Sequence, residues 1–375
     1  MKLEGVELRR IRLSLVAPFE TSFGVQTERD VLLVKAITSV GEGWGECVAG
    51  EEPTYSSEYV AGAQHVLIHH LLPRLLGQAQ VDAEDVGRLL GAVHGHHMAK
   101  AAIEMAVLDA QLRARGESFA KYFGAVRPAV DCGVSVGIHK SISELLETVG
   151  DYLEQGYRRI KLKIKPGWDV EPVRAVRERF GDVPLQVDAN TAYSLSDAAH
   201  LAELDEFSLL LMEQPLSEEQ VLAHAELARS VRTPICLDES ITSAQMAEDA
   251  IKLGACRIIN IKPGRVGGYL EARRIHDLCA AQGVPVWMGG MLETGIGRAG
   301  NVAMAAMPNF TLPGDTSASD RYYHRDITQP FVLHDGRLNV PSGPGLGVDV
   351  DLDFLESITH WKQTVGDAKL SHAAS

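Results

Sequence analysis

Five ionisable residues of the 375-residue chain recur at a nearly constant interval: Lys163, Asp188, Glu213, Asp238 and Lys262 are separated by 25, 25, 25 and 24 positions. Each ends a short apolar run, so each is expected at the same place in a repeated unit. Three carboxylates gathered without a counter-ion would repel one another and drive their pKa values upward. A hard divalent cation relieves that repulsion. All-oxygen ligation from Asp188, Glu213 and Asp238 suits Mg²⁺, with Mn²⁺ or another divalent ion able to substitute and positions left for water or substrate oxygens. No histidine stands at a corresponding strand end, which disfavours zinc.

The lysines indicate what such a metal would serve. Lys161 and Lys163 alternate with Ile160, Leu162 and Ile164, so they share one strand face and each disfavours protonation of the other. Lys163 is therefore expected to be neutral often enough to act as a base. Lys262 ends a strand across the mouth, so a ligand held at the carboxylates would lie between two amines. That arrangement suits removal of a proton α to a carboxylate, the metal and cationic amines stabilising the enolate dianion.

Such positioning requires a periodic scaffold. Apolar runs at residues 130–136, 159–164, 184–188, 209–213, 234–238, 257–262, 285–289 and 310–315 read as eight strands, with helical patterns between them at 168–180, 194–204, 218–230, 243–253 and 269–282. Eight strand-helix units at a period of about 25 residues predict an α/β fold, a (β/α)₈ TIM-like barrel. Outer strand faces are covered by apolar helices, so the polar set must point into the lumen. Before the barrel, strands at 11–18 and 31–37 and a glycine-punctuated turn at 39–46 suggest an antiparallel meander, followed by a helix over 99–115 that stops at Gly116. The expected organisation is an α+β capping domain at 1–125, the barrel at 126–319, and a tail at 320–375 that completes the cap, with a hairpin across Asp335-Gly336-Arg337.

A hydrophobic content of 45% excludes disorder, and 36 Lys plus Arg against 50 Asp plus Glu, a net charge of -14, argue against nucleic-acid or acidic-membrane partners. Five scattered cysteines with no CxxC pair fit neither a disulfide framework nor a zinc cage, and favour a reducing cytoplasm. No leader-like or membrane-length apolar stretch is expected.

Taken together, Lys161-Leu162-Lys163, Val187-Asp188-Ala189-Asn190, Met212-Glu213-Gln214-Pro215, Leu237-Asp238-Glu239-Ser240, the run from Lys262-Pro263-Gly264-Arg265 to Gly268, and Gly289-Gly290-Met291-Leu292-Glu293-Thr294-Gly295-Ile296-Gly297 resemble the enolase superfamily. Within it the sequence is most similar to the o-succinylbenzoate synthase and N-succinylamino acid racemase family of the muconate-lactonising subgroup, over nearly the whole chain. The resemblance implies Asp188, Glu213 and Asp238 as Mg²⁺ ligands, Lys163 and Lys262 as acid/base groups, and Lys161 near the substrate carboxylate. It further implies substrate contacts at Ser135, Asn190, Arg265, Gly290, Met291, Leu292 and Glu293, and mobile capping loops carrying Phe19, Phe23 and Tyr55 that close over the substrate. The partners expected are a small-molecule carboxylate and, in a homo-oligomer, further copies of the chain. Dehydration to o-succinylbenzoate, racemisation of N-succinyl or other N-acyl amino acids, or both are implied, with a place in menaquinone biosynthesis.

Other readings compete. Gly295-Ile296-Gly297-Arg298-Ala299-Gly300 matches GxGxxG but falls in a seventh unit rather than a first βα turn, so its amides are expected to receive a substrate carboxylate or acyl group, not a dinucleotide. His94, His96 and His97 read as a solvated turn. A Schiff-base lyase would leave three carboxylates without a task, and an inert scaffold would leave both lysines and acids without one. The mandelate racemase group would place a histidine where Lys262 stands. Dipeptide epimerases carry an Asp-x-Asp at the eighth strand end, where this chain reads Gly314-Asp315-Thr316-Ser317. Muconate cycloisomerase is the harder alternative to separate by motif.

Overall fold

The computed structural model of the protein describes residues 1–366, and residues 367–375 of the expected tail lie outside the described residues. The chain opens with two long strands, β1 (Leu3–Thr21) and β2 (Gly24–Thr38), and a shorter β3 (Gly41–Cys47), paired antiparallel in that order. Val6, Leu8, Ile11 and Val31 to Val34 are fully buried between this sheet and the helices on it. Between Ser14 and Phe19 the β1–β2 register shifts, which bends the tip of the hairpin. β3 lies directly on the His97–Arg115 helix. A Cβ on Gly45 would stand 2.0 Å from the Ala102 carbonyl oxygen, and one on Gly43 2.2 Å from the Ala110 nitrogen, so only glycine permits this approach.

The middle of the chain alternates strands and helices. β4 (Ala129–Asp131) precedes seven strands, β5 (Gly133–Val136), β6 (Arg159–Lys163), β7 (Leu185–Asp188), β8 (Met212–Glu213), β9 (Ile235–Leu237), β10 (Ile258–Ile261) and β11 (Val286–Met288). These seven form one curled parallel sheet in sequence order. The eighth expected strand, 310–315, is reduced to bridges. Thr311 and Asp315 amides donate to Val286 and Met288 carbonyls on one side, while the Gly133 amide donates to the Gly314 carbonyl on the other. Pro313 has no amide to extend the ladder, so this segment closes the ring without becoming regular. The helix expected over 194–204 is broken into Leu195–Asp197, Ala198–Leu201 and Ala202–Phe207, the outer pieces of 3₁₀ type.

Leu211, Cys236, Ile258 and Trp287 form a small apolar cluster separate from the main core. They share the strand phase of the polar mouth residues, and so floor the lumen. After the barrel, Asp335 and Gly336 adopt the left-handed turn conformation expected there. The strand that follows, β12 (Arg337–Asn339), pairs with β4 rather than building a long hairpin. The chain then returns as β13 (Thr359–Gly366), antiparallel to β1. No helix among the described residues is long and apolar enough to cross a membrane.

Candidate active site

Strand register brings the expected residues together. Lys163, Asp188 and Glu213 are direct neighbours on β6, β7 and β8. The next residue along that line is Cys236, two positions before Asp238. Barrel strands are staggered, and a two-residue step keeps Asp238 on the inner face while carrying it past the end of β9. Backbone in the left-handed region turns the chain outward just behind two of these acids, at Asn190 (φ 41°) and Gln214 (φ 37°). Gln214 then holds the neighbouring strand end, its Oε1 accepting the Asp238 and Ser240 amides.

Each lysine meets carboxylates. Lys161 Nζ lies 2.6 Å from Asp315, 3.1 Å from Glu213 and 3.2 Å from Asp188, and 4.9 Å from the Trp287 ring centre. Burial opposes its charge, but these three carboxylates overcome burial and raise its pKa. Lys163 Nζ donates to Asp188 Oδ2 and to Asn190 Oδ1, both at 2.6 Å. Here burial wins and, with Lys161 adding to it against the pull of Asp188, holds the pKa below that of an ordinary lysine. Lys262 Nζ donates to Asp238 at 2.7 Å and to the Tyr55 hydroxyl at 3.0 Å. Its pKa is raised despite burial, chiefly by Tyr55 and Glu239.

Lys161, Lys163, Lys262, Asn190 and Asp315 line a cavity of about 350 Å³ whose roof is Phe19, Thr21, residues 23–29 and Tyr55. Ser135, Gly290, Met291, Leu292 and Tyr322 also line it, and the Ser135 hydroxyl is buried with no hydrogen-bond partner. That size suits a small-molecule ligand. The roof is tied down by Ser22 Oγ, which donates to the Asn190 carbonyl at 3.1 Å, and by a 3.0 Å pair between Glu20 and Lys165.

Two expected contacts lie elsewhere. Arg265 is buried behind Asp238, pairing with that carboxylate and donating to the Ile241 and Asn260 carbonyls, and does not line the cavity. Glu293 turns to the Gly295–Ala305 helix, where it accepts from Asn301. The leading amides of the GxGxxG segment are not open to a ligand: Asp326 accepts that of Gly295, the Thr294 hydroxyl oxygen that of Ile296 and Glu46 that of Gly297, together with the preceding Thr294 amide. His97 faces Gly267 rather than forming a metal tract with His94 and His96.

Asp315 is a site residue that the sequence motifs leave unmarked, bearing there only on the absence of an Asp-x-Asp pair. It ends the eighth apolar run, 53 positions beyond Lys262, and that place in the repeat is the signal the sequence holds. Glu239 likewise carries no role there. It accepts from Asn190 Nδ2 at 2.9 Å, its Oε2 is buried without a donor, and burial plus the nearby Asp188 charge push its pKa up to about 7.

Among the described residues no three His, Cys, Asp or Glu side chains converge at metal-holding distance, because Asp188, Glu213 and Asp238 are turned onto lysine and arginine. The donor chemistry nonetheless fits a hard divalent ion. Burial and then the Asp188 charge raise the Glu213 pKa, and the orphaned Glu239 oxygen adds a further buried acceptor. With two amines on opposite sides of the carboxylate row, the cavity can move a proton to and from a carbon held between them.

Comparisons with known proteins agree in extent. Residues 5–124 match the mandelate racemase / muconate lactonizing enzyme N-terminal domain, and residues 144–354 the enolase C-terminal domain-like model. The chain is 66% identical over 367 residues to an N-succinylamino acid racemase from an Amycolatopsis species, covering 98% of this chain and all of that one. It is 47% identical to an o-succinylbenzoate synthase from Geobacillus kaustophilus, covering 99% and 98%. A solved enolase superfamily member from Listeria innocua superposes with a TM-score of 0.94 at 40% identity, covering 97% and 99% of the two chains. The chain therefore belongs to the enolase superfamily, with a mandelate racemase / muconate lactonizing enzyme N-terminal domain.

Proposed function

We propose that the protein removes the proton α to a carboxylate, racemising N-succinyl or other N-acyl amino acids and dehydrating the cyclohexadiene precursor of o-succinylbenzoate. The observation that carries this reading is that Lys163 and Lys262 line the same 350 Å³ cavity from β6 and from the end of β10, on either side of the carboxylate row. Asp188, Glu213 and Asp238 would hold Mg²⁺, which when bound supplies positive charge for the developing enolate. Lys163, desolvated beside Asn190, takes the proton from one face of the α-carbon, and Lys262 delivers one to the other face in racemisation. In dehydration one lysine can serve twice, first removing the α-proton and then protonating the departing hydroxyl. Lys161, held charged by three carboxylates, adds a fixed cation, and Phe19, Phe23 and Tyr55 exclude water.

Asp315 argues against dipeptide epimerisation. One oxygen lies 2.6 Å from Lys161 and the other 2.8 Å from Arg159, so both already face fixed cations that compete with a substrate ammonium group. The proposal takes 1–125 as cap, 126–319 as catalytic barrel and 320–375 as tail. It includes a homo-oligomer in the cytoplasm, consistent with five free, buried thiols, and a place in menaquinone biosynthesis. The test offers the Mg²⁺-loaded enzyme an N-succinyl amino acid, an unacylated dipeptide and cis,cis-muconate in heavy water. Exchange and racemisation of the succinyl compound are expected; turnover of either other substrate with none of the succinyl compound refutes the assignment.

A further inference from the structure

The outer helices of the N-terminal sheet carry a cluster that α-proton chemistry does not use. The Val60–Val66 helix runs into a π-turn, Leu67–Leu71, with Pro73 just beyond it. An α-turn brings residue i+4 beside residue i, and a π-turn brings i+5. His69 and His70 therefore both approach His65, with ring centres 4.5 and 5.9 Å from it. All three side chains are exposed. His65 and His69 border a hollow against β13 that Gln64 and Gln363 also line; the guanidinium of Arg10, on the same hollow, is turned to Asp30 and Gln64.

A metal–nitrogen bond of about 2.1 Å, with the ring centre about 1.2 Å behind the nitrogen, puts two imidazoles bound at roughly 90–110° about 4.7–5.4 Å apart. The His65–His69 separation of 4.5 Å is within about 0.2 Å of that range, a small rotamer adjustment for two exposed side chains. Histidines at i and i+4 on one helix face form a chelating pair. We propose that His65 and His69 bind one late first-row divalent ion, Zn²⁺, Ni²⁺ or Cu²⁺, with water in its remaining positions. Because no third ligating side chain among the described residues converges there, this is an open two-imidazole site rather than a closed structural one. Its ligand type separates it from the barrel mouth: imidazole selects late transition metals, and carboxylate oxygen selects Mg²⁺.

The test is calorimetric titration of the full chain with Zn²⁺ in excess Mg²⁺, which occupies the carboxylates, comparing the parent with His65→Ala, His69→Ala and His70→Ala. One Zn²⁺ site should weaken roughly tenfold or more in the first two variants and persist in the third, since a chelate loses half its protein ligands with either imidazole. Nitrogen coupling in the Cu²⁺ EPR spectrum should fall in the same two variants. All three residues are solvent-facing, so Mg²⁺-dependent activity should be unchanged and reports correct folding. No uptake by the parent, or undiminished uptake by His65→Ala or His69→Ala, overturns the site.

Discussion

Glu46, on β3 of the N-terminal sheet, closes the start of a barrel helix through Thr294, 248 residues away: its Oε2 accepts the Thr294 hydroxyl at 2.7 Å, and its carboxylate also accepts the Thr294 amide. The Gly297 amide adds a third donor at 3.0 Å. A glycine-rich segment that could have received an anionic ligand is instead a joint between cap and barrel. Burial, opposed by the Thr294 bond and reinforced by Glu293, pushes the Glu46 pKa from 4.5 up to about 7.

A carboxyl raised on folding stabilises at low pH. The folded state holds an extra proton between about 4.5 and 7, so the Glu46 contribution is complete below 4.5 and lost as pH rises through 7. Thermal or urea unfolding of the parent should show this loss, of the order of 3 kcal/mol, and Glu46→Gln should flatten it. An unchanged slope in Glu46→Gln would contradict the assignment. Glu46→Ala, which strands three buried donors, should cost about 2–4 kcal/mol below pH 4.5 and less as pH rises through 7, because the variant lacks the Glu46 titration.

Lys163→Ala and Lys262→Ala should each lower racemisation about 10²–10⁴-fold while leaving circular dichroism unchanged. One variant should still exchange the α-proton of a single enantiomer with solvent, measured by NMR in heavy water. Racemisation by Lys262→Ala at the parental rate would leave Lys262 with an electrostatic role only.

Chelation should abolish turnover, and added Mg²⁺ should restore it. Asp188→Asn, Glu213→Gln and Asp238→Asn each remove a charge with little change in volume. Each should weaken Mg²⁺ activation by at least about tenfold. Full activity in excess chelator would refute the divalent-ion role.

Asp315 compensates two buried cations, and despite its own burial Lys161 and Arg159 hold its carboxyl far below the ordinary range. Asp315→Asn should cost about 3–5 kcal/mol in denaturant unfolding, the usual result of leaving a buried charge without its partner. Turnover should fall as well, because Lys161 loses its 2.6 Å partner. A variant as stable and active as the parent would remove Asp315 from the site.

The periodic part of the site was legible in the sequence. Lys163, Asp188 and Glu213 stand in line because a repeated strand-helix unit returns each strand end to the same height, and strict alternation along a strand sends them to one face. The same alternation made Lys161 a lumen residue. The β3 glycines were legible only as a turn; that Gly43 and Gly45 admit a helix backbone depends on the partner they meet.

Tertiary structure alone decided which polar groups neutralise one another. Periodicity gives a residue its height and face but not its partner, and a buried charge takes whichever opposite charge or donor the folded chain brings within about 3 Å. Arg265 turned to Asp238 and two backbone carbonyls rather than to the cavity, and Asp315 went to Lys161 and Arg159. The helix amides at Thr294 and Gly297 were taken by Glu46, from a sheet folded at the other end of the chain. The Asp315 and Glu46 pairings join residues more than 150 positions apart and leave no local pattern, whereas the 25-residue repeat is written in the spacing of the residues themselves.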